Sequence, residues 1–190
     1  MSEIDHYTAI GDRLKILIEA NLEDEVDNYE VRFRKHTRLS EMLQSVGQEL
    51  ESETLLEDSK NALPLDLDIV VFVYFPDTDE YEKIIVEVKD RSKVGLMNFS
   101  QLTGYNLVSK TRYGLLVNVD GGMSSELQKI LEYQKDLSSF SQKTNESEIQ
   151  HEFGVFKWET SSKKLVRTGI EPLNSIPKIA EKIASDVQTH

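Results

Sequence analysis

Two charged residues interrupt an otherwise apolar stretch of the chain, Ile84-Ile85-Val86-Glu87-Val88-Lys89. The β-branched residues around them read as a buried strand, and residues two apart on a strand point to the same face. Glu87 and Lys89 therefore stand side by side, while Val86 and Val88 face the other way into a core. Upstream, Leu67 and Ile69 to Phe75 form a second apolar run headed by Asp68, with Asp66 two residues earlier. Pro76-Asp77-Thr78-Asp79 supplies a turn, so the two runs are expected to pair as an antiparallel hairpin that brings one Asp beside Glu87. Carboxylates from neighbouring strands are the hard oxygen ligands that Mg2+ or Mn2+ prefers. A metal so held polarises a phosphate and acidifies a bound water; a nearby lysine orients that water or stabilises the charge building on phosphorus. These parts suit hydrolysis of a phosphodiester.

The elements that must hold these residues can be read from hydrophobic periodicity. Ile4, Tyr7, Ile10, Leu14, Leu17 and Ile18 recur at helical spacing, predicting an amphipathic helix from Ile4 to Ala20 that stops near Asn21. Tyr29, Val31 and Phe33 alternate with charged residues as in a half-buried strand. Ser40 is placed to cap one helix running through Met42, Val46, Leu50 and Leu55 to about Lys60. After the hairpin, Gly95 precedes a helix from about Leu96 to Lys110 with Leu96, Phe99, Leu102 and Val108 as its core face. Gly114 to Val119 is a short buried strand closed by a turn at Asp120, Gly121 and Gly122. A helix from Ser124 or Ser125 through Leu127, Ile130, Leu131 and Leu137 follows, and Ser138 to Gln150 is polar enough to predict a mobile loop. Phe153 to Trp158 and Lys164 to Thr168 are expected to form a second hairpin, and Ile176 to about Val187 a final amphipathic helix.

An Asp, then Glu-x-Lys nineteen positions later on the next strand, resembles the PD-(D/E)xK nuclease superfamily, here as Asp68, Glu87, Val88 and Lys89. On the following helix, Gln101-Leu102-Thr103-Gly104-Tyr105 is similar to the Gln-x-x-x-Tyr motif of RecB-type nuclease domains, and a four-residue step puts Gln101 and Tyr105 on one face. Tyr113 to Gly122 also looks like the N-terminal nuclease domains of type I restriction motor subunits. The resemblance covers about Leu65 to Gly122. It implies an α/β fold with a restriction-endonuclease-like αβββαβ core at about 4–122 and a mixed sheet flanked by helices, while the length of 190 residues predicts one domain over residues 1–190. It also implies a Mg2+- or Mn2+-dependent deoxyribonuclease acting in restriction, repair or defence. Asp68, Glu87 and the backbone carbonyl of Val88 would hold the metal, Lys89 would position water, and Gln101 and Tyr105 would steady the DNA backbone. The residue before Asp68 is Leu67 rather than the family's Pro, which leaves Asp66 as a second candidate; Asp68 is preferred because it directly precedes the apolar strand. Glu19 is a candidate for the extra acid that the superfamily often takes from its first helix.

Composition sets the limits. With no cysteine among 190 residues, disulfides, thiolate metal sites and cysteine nucleophiles are excluded. His6, His36, His151 and His190 lack metal-ligand spacing such as His-Glu-x-x-His, which argues against zinc. Trp158, Phe153 and Phe156 read as core, and Gly121-Gly122 as a turn rather than a nucleotide loop. No apolar run approaches the ~20 residues that a bilayer requires. The opening segment, carrying Glu3 and Asp5, does not read as a secretory signal, so a cytoplasmic location without membrane contact is expected and the sequon-like Asn145-Glu146-Ser147 has no meaning. The formal net charge of -12 opposes bulk attraction to nucleic acid. Residues 1–60 hold 15 acids against 7 bases, whereas residues 89–112 hold 5 bases against Asp90 alone. Arg91 and Lys93 in that basic stretch are candidate phosphate contacts. A non-catalytic relative, serving a larger complex as a DNA-sensing or protein-interaction subunit, would also fit the acidity; a partner protein or a homodimer is compatible with either reading.

Overall fold

The computed structural model describes residues 2–144 and 148–187. Its centre is the expected hairpin: β2 (Asp66–Phe75) and β3 (Glu80–Lys89) pair antiparallel from Phe75↔Glu80 to Ile69↔Val86. Alternation then divides each strand. Ile69, Val71 and Val73 with Ile84, Val86 and Val88 join one core layer, and Val70, Phe72, Tyr74 and Ile85 join the other. Both faces of the hairpin are therefore covered, which is why its strands read as continuous apolar runs.

The remaining elements follow from these two layers. Helix α1 (Ile4–Leu22) and helix α6 (Ile176–Val187) cover the first face, burying Ile10, Leu14, Ile18, Ile179 and Ile183. Gly11 lets α1 press against β1 (Glu30–Arg38), since a Cβ there would meet the Phe33 ring at 2.5 Å. On the opposite face lie α2 (Leu39–Leu50), α3 (Glu53–Asn61), α4 (Leu96–Val108) and α5 (Ser125–Tyr133). Helix α4 crosses from β3 to the parallel strand β5 (Tyr113–Val119). Strand β8 (Glu148–Glu159) adds parallel to β5, and β7 (Ser139–Lys143) and β9 (Lys164–Arg167) both pair with its outer edge. The sheet has seven strands in the order β1-β2-β3-β5-β8-β7, with β9 beside β8. Two short parallel strands, β4 (Lys93–Val94) and β6 (Gly122–Met123), form a separate pair. With α2, α3 and the two-residue β4 set aside, the chain reads αβββαβ through β5 in a mixed α/β fold.

Four expectations need correction. The single helix from Ser40 to Lys60 is two, because Glu51 takes a left-handed φ of 56° that closes α2 and Ser52 accepts the Leu55 N–H to start α3. The predicted loop from Ser138 to Gln150 contains β7 and the start of β8; β7 sits at a sheet edge, where a polar outward face is compatible with a strand. Leu96 and Val108, expected in the core, are 47% and 51% exposed at the two ends of α4, while Leu137 lies beyond α5 in a 3-10 turn. Gly122, read as part of a turn, belongs to β6. Asn145, Glu146, Ser147 and His190 lie outside the described residues. Among the described residues, no helix is long and apolar enough to cross a membrane.

Candidate active site

The ladder between β2 and β3 ends at Ile69↔Val86, and beyond it a side chain replaces the backbone. Asp68 Oδ2 accepts the Val88 N–H at 2.8 Å, while its Oδ1 accepts the Tyr7 hydroxyl of α1 at 2.7 Å. The carboxylate is thereby fixed on two sides, by the strand that carries Glu87 and by the helix that covers one face of the sheet. Opposite Asp68 on β1, His36 has a left-handed φ of 50°, and its ring lies 6.1 Å from that of Tyr7.

Glu87 and Lys89 share one face of β3, as their spacing predicts. Lys89 Nζ lies 2.5 Å from Glu87 Oε1 and 4.0 Å from Asp68 Oδ2, so the ammonium faces both carboxylates. Glu87 is 2% exposed, and the Lys89 ammonium is the close partner of its Oε1. Burial, reinforced by the negative charge of Asp68 and opposed by Lys89, pushes the Glu87 carboxyl up to about 7. Burial also pulls Lys89 down, but Glu87, Asp68 and Glu3 outweigh it and hold the ammonium above its usual range. For Tyr7, burial and the hydrogen bond to Asp68 both hold the phenol well above its ordinary value.

The donor set suits a hard divalent cation. Magnesium commonly takes one or two protein carboxylates and completes its shell with water and substrate oxygens; Asp68 and Glu87 are carboxylates of that kind, with Glu87 ion-paired to Lys89. Among the described residues, no group of three or more acidic or imidazole side chains is gathered so as to hold a metal ion. Val88, whose carbonyl the family resemblance makes the third ligand, sits between Glu87 and Lys89 with its N–H held by Asp68.

The other candidates divide clearly. The Asp66 side chain is 86% exposed and only loosely paired with Arg38 at 4.0 Å, so it stays outside the cluster. Glu19 pairs with Lys15 near the far end of α1, ~18 Å along the helix from Tyr7 at 1.5 Å per residue. The acid that α1 brings to this region is Glu3 at its N-terminus, where Oε1 accepts the Asp90 N–H at 3.0 Å. Gln101 and Tyr105 share a face of α4, with Gln101 Nε2 donating to the Tyr105 hydroxyl at 3.0 Å, on the sheet face to which Glu87 and Lys89 point. Arg91 and Lys93 are exposed on the segment that leaves β3, which the β4–β6 pair ties down.

Sequence reasoning missed three residues here: Glu3, Tyr7 as a polar partner, and Asn118. Asn118 stands in register with Lys89 on β5 and is buried. Its Oδ1 accepts the Arg91 N–H at 3.3 Å and its Nδ2 donates to the Gly122 carbonyl at 2.9 Å, joining the segments that follow β3 and β5. Two signals were available: an amide inside the buried run Gly114 to Val119, and a tyrosine on the apolar face of a helix, since a buried hydroxyl needs a partner.

In comparisons with protein-family models, curated proteins and solved structures, nothing matches this chain. The class defined by the fold is α/β, and the chemistry is argued from the residues of the site.

Proposed function

We propose that this protein is a metal-dependent deoxyribonuclease that hydrolyses DNA phosphodiester bonds at the cluster of Asp68, Glu87 and Lys89. The observation that carries the reading is the approach of carboxylates from two adjoining strands to one ammonium, which contacts Glu87 at 2.5 Å and lies 4.0 Å from Asp68. An isolated Glu-x-Lys pair is an ordinary surface ion pair; here the glutamate is buried and raised in pKa, and an acid from the neighbouring strand is locked beside it. Perturbed groups of this kind concentrate at functional sites.

Asp68 and Glu87 would hold Mg2+ or Mn2+, with the Val88 carbonyl, and the bound ion would supply Lewis acidity toward the phosphate. Tyr7 keeps the Asp68 carboxylate aimed by donating to Oδ1. The Lys89 ammonium would orient the attacking water and balance the negative charge that builds on the phosphoryl oxygens. Gln101 and Tyr105 offer an amide and a phenol to the strand being cut, and Arg91 and Lys93 offer cations to flanking phosphates. Against the net charge of -12, residues 91–119 hold Arg91, Lys93, Lys110 and Arg112 and no acidic side chain.

The test is incubation of the purified protein with supercoiled, linear, single-stranded and branched DNA in Mg2+ or Mn2+, beside Lys89→Ala and Glu87→Ala. Cleavage that disappears in both variants supports the reading. Cleavage retained in both assigns it to a contaminant or another site, and no cleavage together with no Mn2+ binding by calorimetry favours a non-catalytic role.

A further inference from the structure

A second cavity lies at the other end of β3 from Lys89. It is a groove of about 810 Å³, bounded by the first residues of β3, the end of α4 and the chain after α3. That volume is typical of sites for small organic molecules.

Five carboxylates and three cations line the groove; Glu80, Glu148 and Lys110 are exposed to solvent, and Asp58, Glu82 and Asp186 are engaged by neighbours. Asp186 takes Arg112 Nη1 at 2.8 Å and the Tyr113 hydroxyl at 2.6 Å, Glu82 pairs with Arg112 at 3.6 Å, and Asp58 accepts the Tyr81 hydroxyl. Lys83 is different: among the described residues its Nζ forms no ion pair, and its hydrogen bond is a long one of 3.4 Å to the Ser109 carbonyl. An ammonium carries three donors, so most of its capacity is unspent. Burial pulls its proton affinity below the usual lysine range, and the more distant charges of Asp58 and Glu82 only partly offset this. A part-exposed ammonium lining a groove, with one long hydrogen bond and no ion pair, keeps donors free for a negatively charged ligand.

The walls indicate what should carry the charge. The Tyr81 ring lies 5.6 Å from Lys83 Nζ, and Leu63 and Val108 line the same groove while remaining 49% and 51% exposed. Large apolar side chains left half in solvent around a cavity offer contact to a flat apolar body. We propose that this groove binds a small aromatic anion, with Lys83 as its counter-ion and Tyr81, Leu63 and Val108 against its ring. The inference does not depend on nuclease activity.

Calorimetric titration with 1-naphthoate and 1-naphthyl phosphate, beside the neutral 1-naphthalenemethanol, tests both the charge and the body of the ligand; the two anions also distinguish a carboxylate from a phosphate preference. At least one anion should bind ~10-fold more tightly than the neutral compound, and Lys83→Met should remove that advantage, as expected for one charge-assisted hydrogen bond. Lys129→Met, an exposed substitution on α5, should leave binding unchanged. Equal binding of the neutral analogue, or anion binding unaltered in Lys83→Met, overturns the proposal. Should Lys83→Met fail to fold, amide chemical-shift mapping of the native protein decides: shifts at Tyr81 to Lys83 and Ser109 to Arg112 support the site, and shifts confined elsewhere overturn it.

Discussion

The Asp68 carboxylate occupies the place of a backbone acceptor for Val88, taking its N–H at 2.8 Å where the β2–β3 ladder has ended. A side chain thereby extends the end of the ladder between two interior strands and is held beside Glu87 by the same bond. The arrangement predicts how the site responds to substitution, pH and salt.

Tyr7→Phe removes the second anchor of Asp68 and no packing volume of consequence. Stability should fall by about 1.5–3 kcal/mol, the typical net range for a hydrogen bond to a charged group, measurable by urea denaturation. Mn2+ affinity should fall with it, because the carboxylate regains rotational freedom. Unchanged stability and metal affinity would show that Asp68 is held by Val88 alone.

Glu87→Gln tests the raised carboxyl. The folded value near 7 lies above the reference of 4.5, so the folded state binds this proton more tightly than the unfolded state does. That contribution is fully present below about pH 4.5 and lost as pH rises through about 7. Glutamine does not ionise, so from pH 4.5 to 8 the stability difference should move in the variant's favour by about 2–3 kcal/mol in chelator-treated buffer. A difference that stays flat with pH would place the Glu87 carboxyl near its ordinary value.

The same proton competes with metal. If Glu87 is a ligand, apparent Mn2+ affinity should drop by roughly tenfold per unit as pH falls below 7 and level off above it. Calorimetry between pH 5.5 and 8.5 would reveal the break; a flat profile would remove Glu87 from the ligand set.

Two glycines should respond in opposite directions. A Cβ on Gly121 would lie 2.1 Å from the Arg91 carbonyl oxygen and 2.2 Å from Asn118 Nδ2. Gly121→Ala should therefore cost about 1–3 kcal/mol and displace the segment bearing Arg91. At Gly104 in α4 a Cβ meets nothing within 4 Å, so Gly104→Ala should stabilise by about 0.5–1 kcal/mol through helix propensity. Thermal melts of the two variants give the comparison directly.

Arg91→Ala and Lys93→Ala should each weaken DNA binding and lower the slope of log K against log salt by about 0.9 for duplex DNA, with Ca2+ replacing Mg2+ to suppress cutting. A slope equal to that of the native protein would exclude a phosphate contact by that residue.

Much of this was legible in residue order. The hairpin, α1, α4, β5, β8 with β9 and α6 all follow from apolar periodicity, and Glu87 and Lys89 had to share a face because a strand repeats every two residues. Local chemistry was harder to see. The break between α2 and α3 turns on one left-handed residue, Glu51, which no apolar period marks. The strand β7 is polar because it is an edge, and edge position belongs to the assembled sheet.

By itself, the order of residues determined the α/β class, the absence of thiol chemistry and the pairing of an acid with a lysine on one strand, because these depend on composition and on contacts near in sequence. The tertiary structure decided which distant acids join them: Asp68 rather than Asp66, and Glu3 rather than Glu19 as the acid of α1 nearest the cluster. It also assigned Tyr7 and Asn118 their partners. The physical reason is directional. A helix delivers only the end that points at the site, and a carboxylate belongs to the cluster only where the strand ladder opens and leaves an N–H for it to accept.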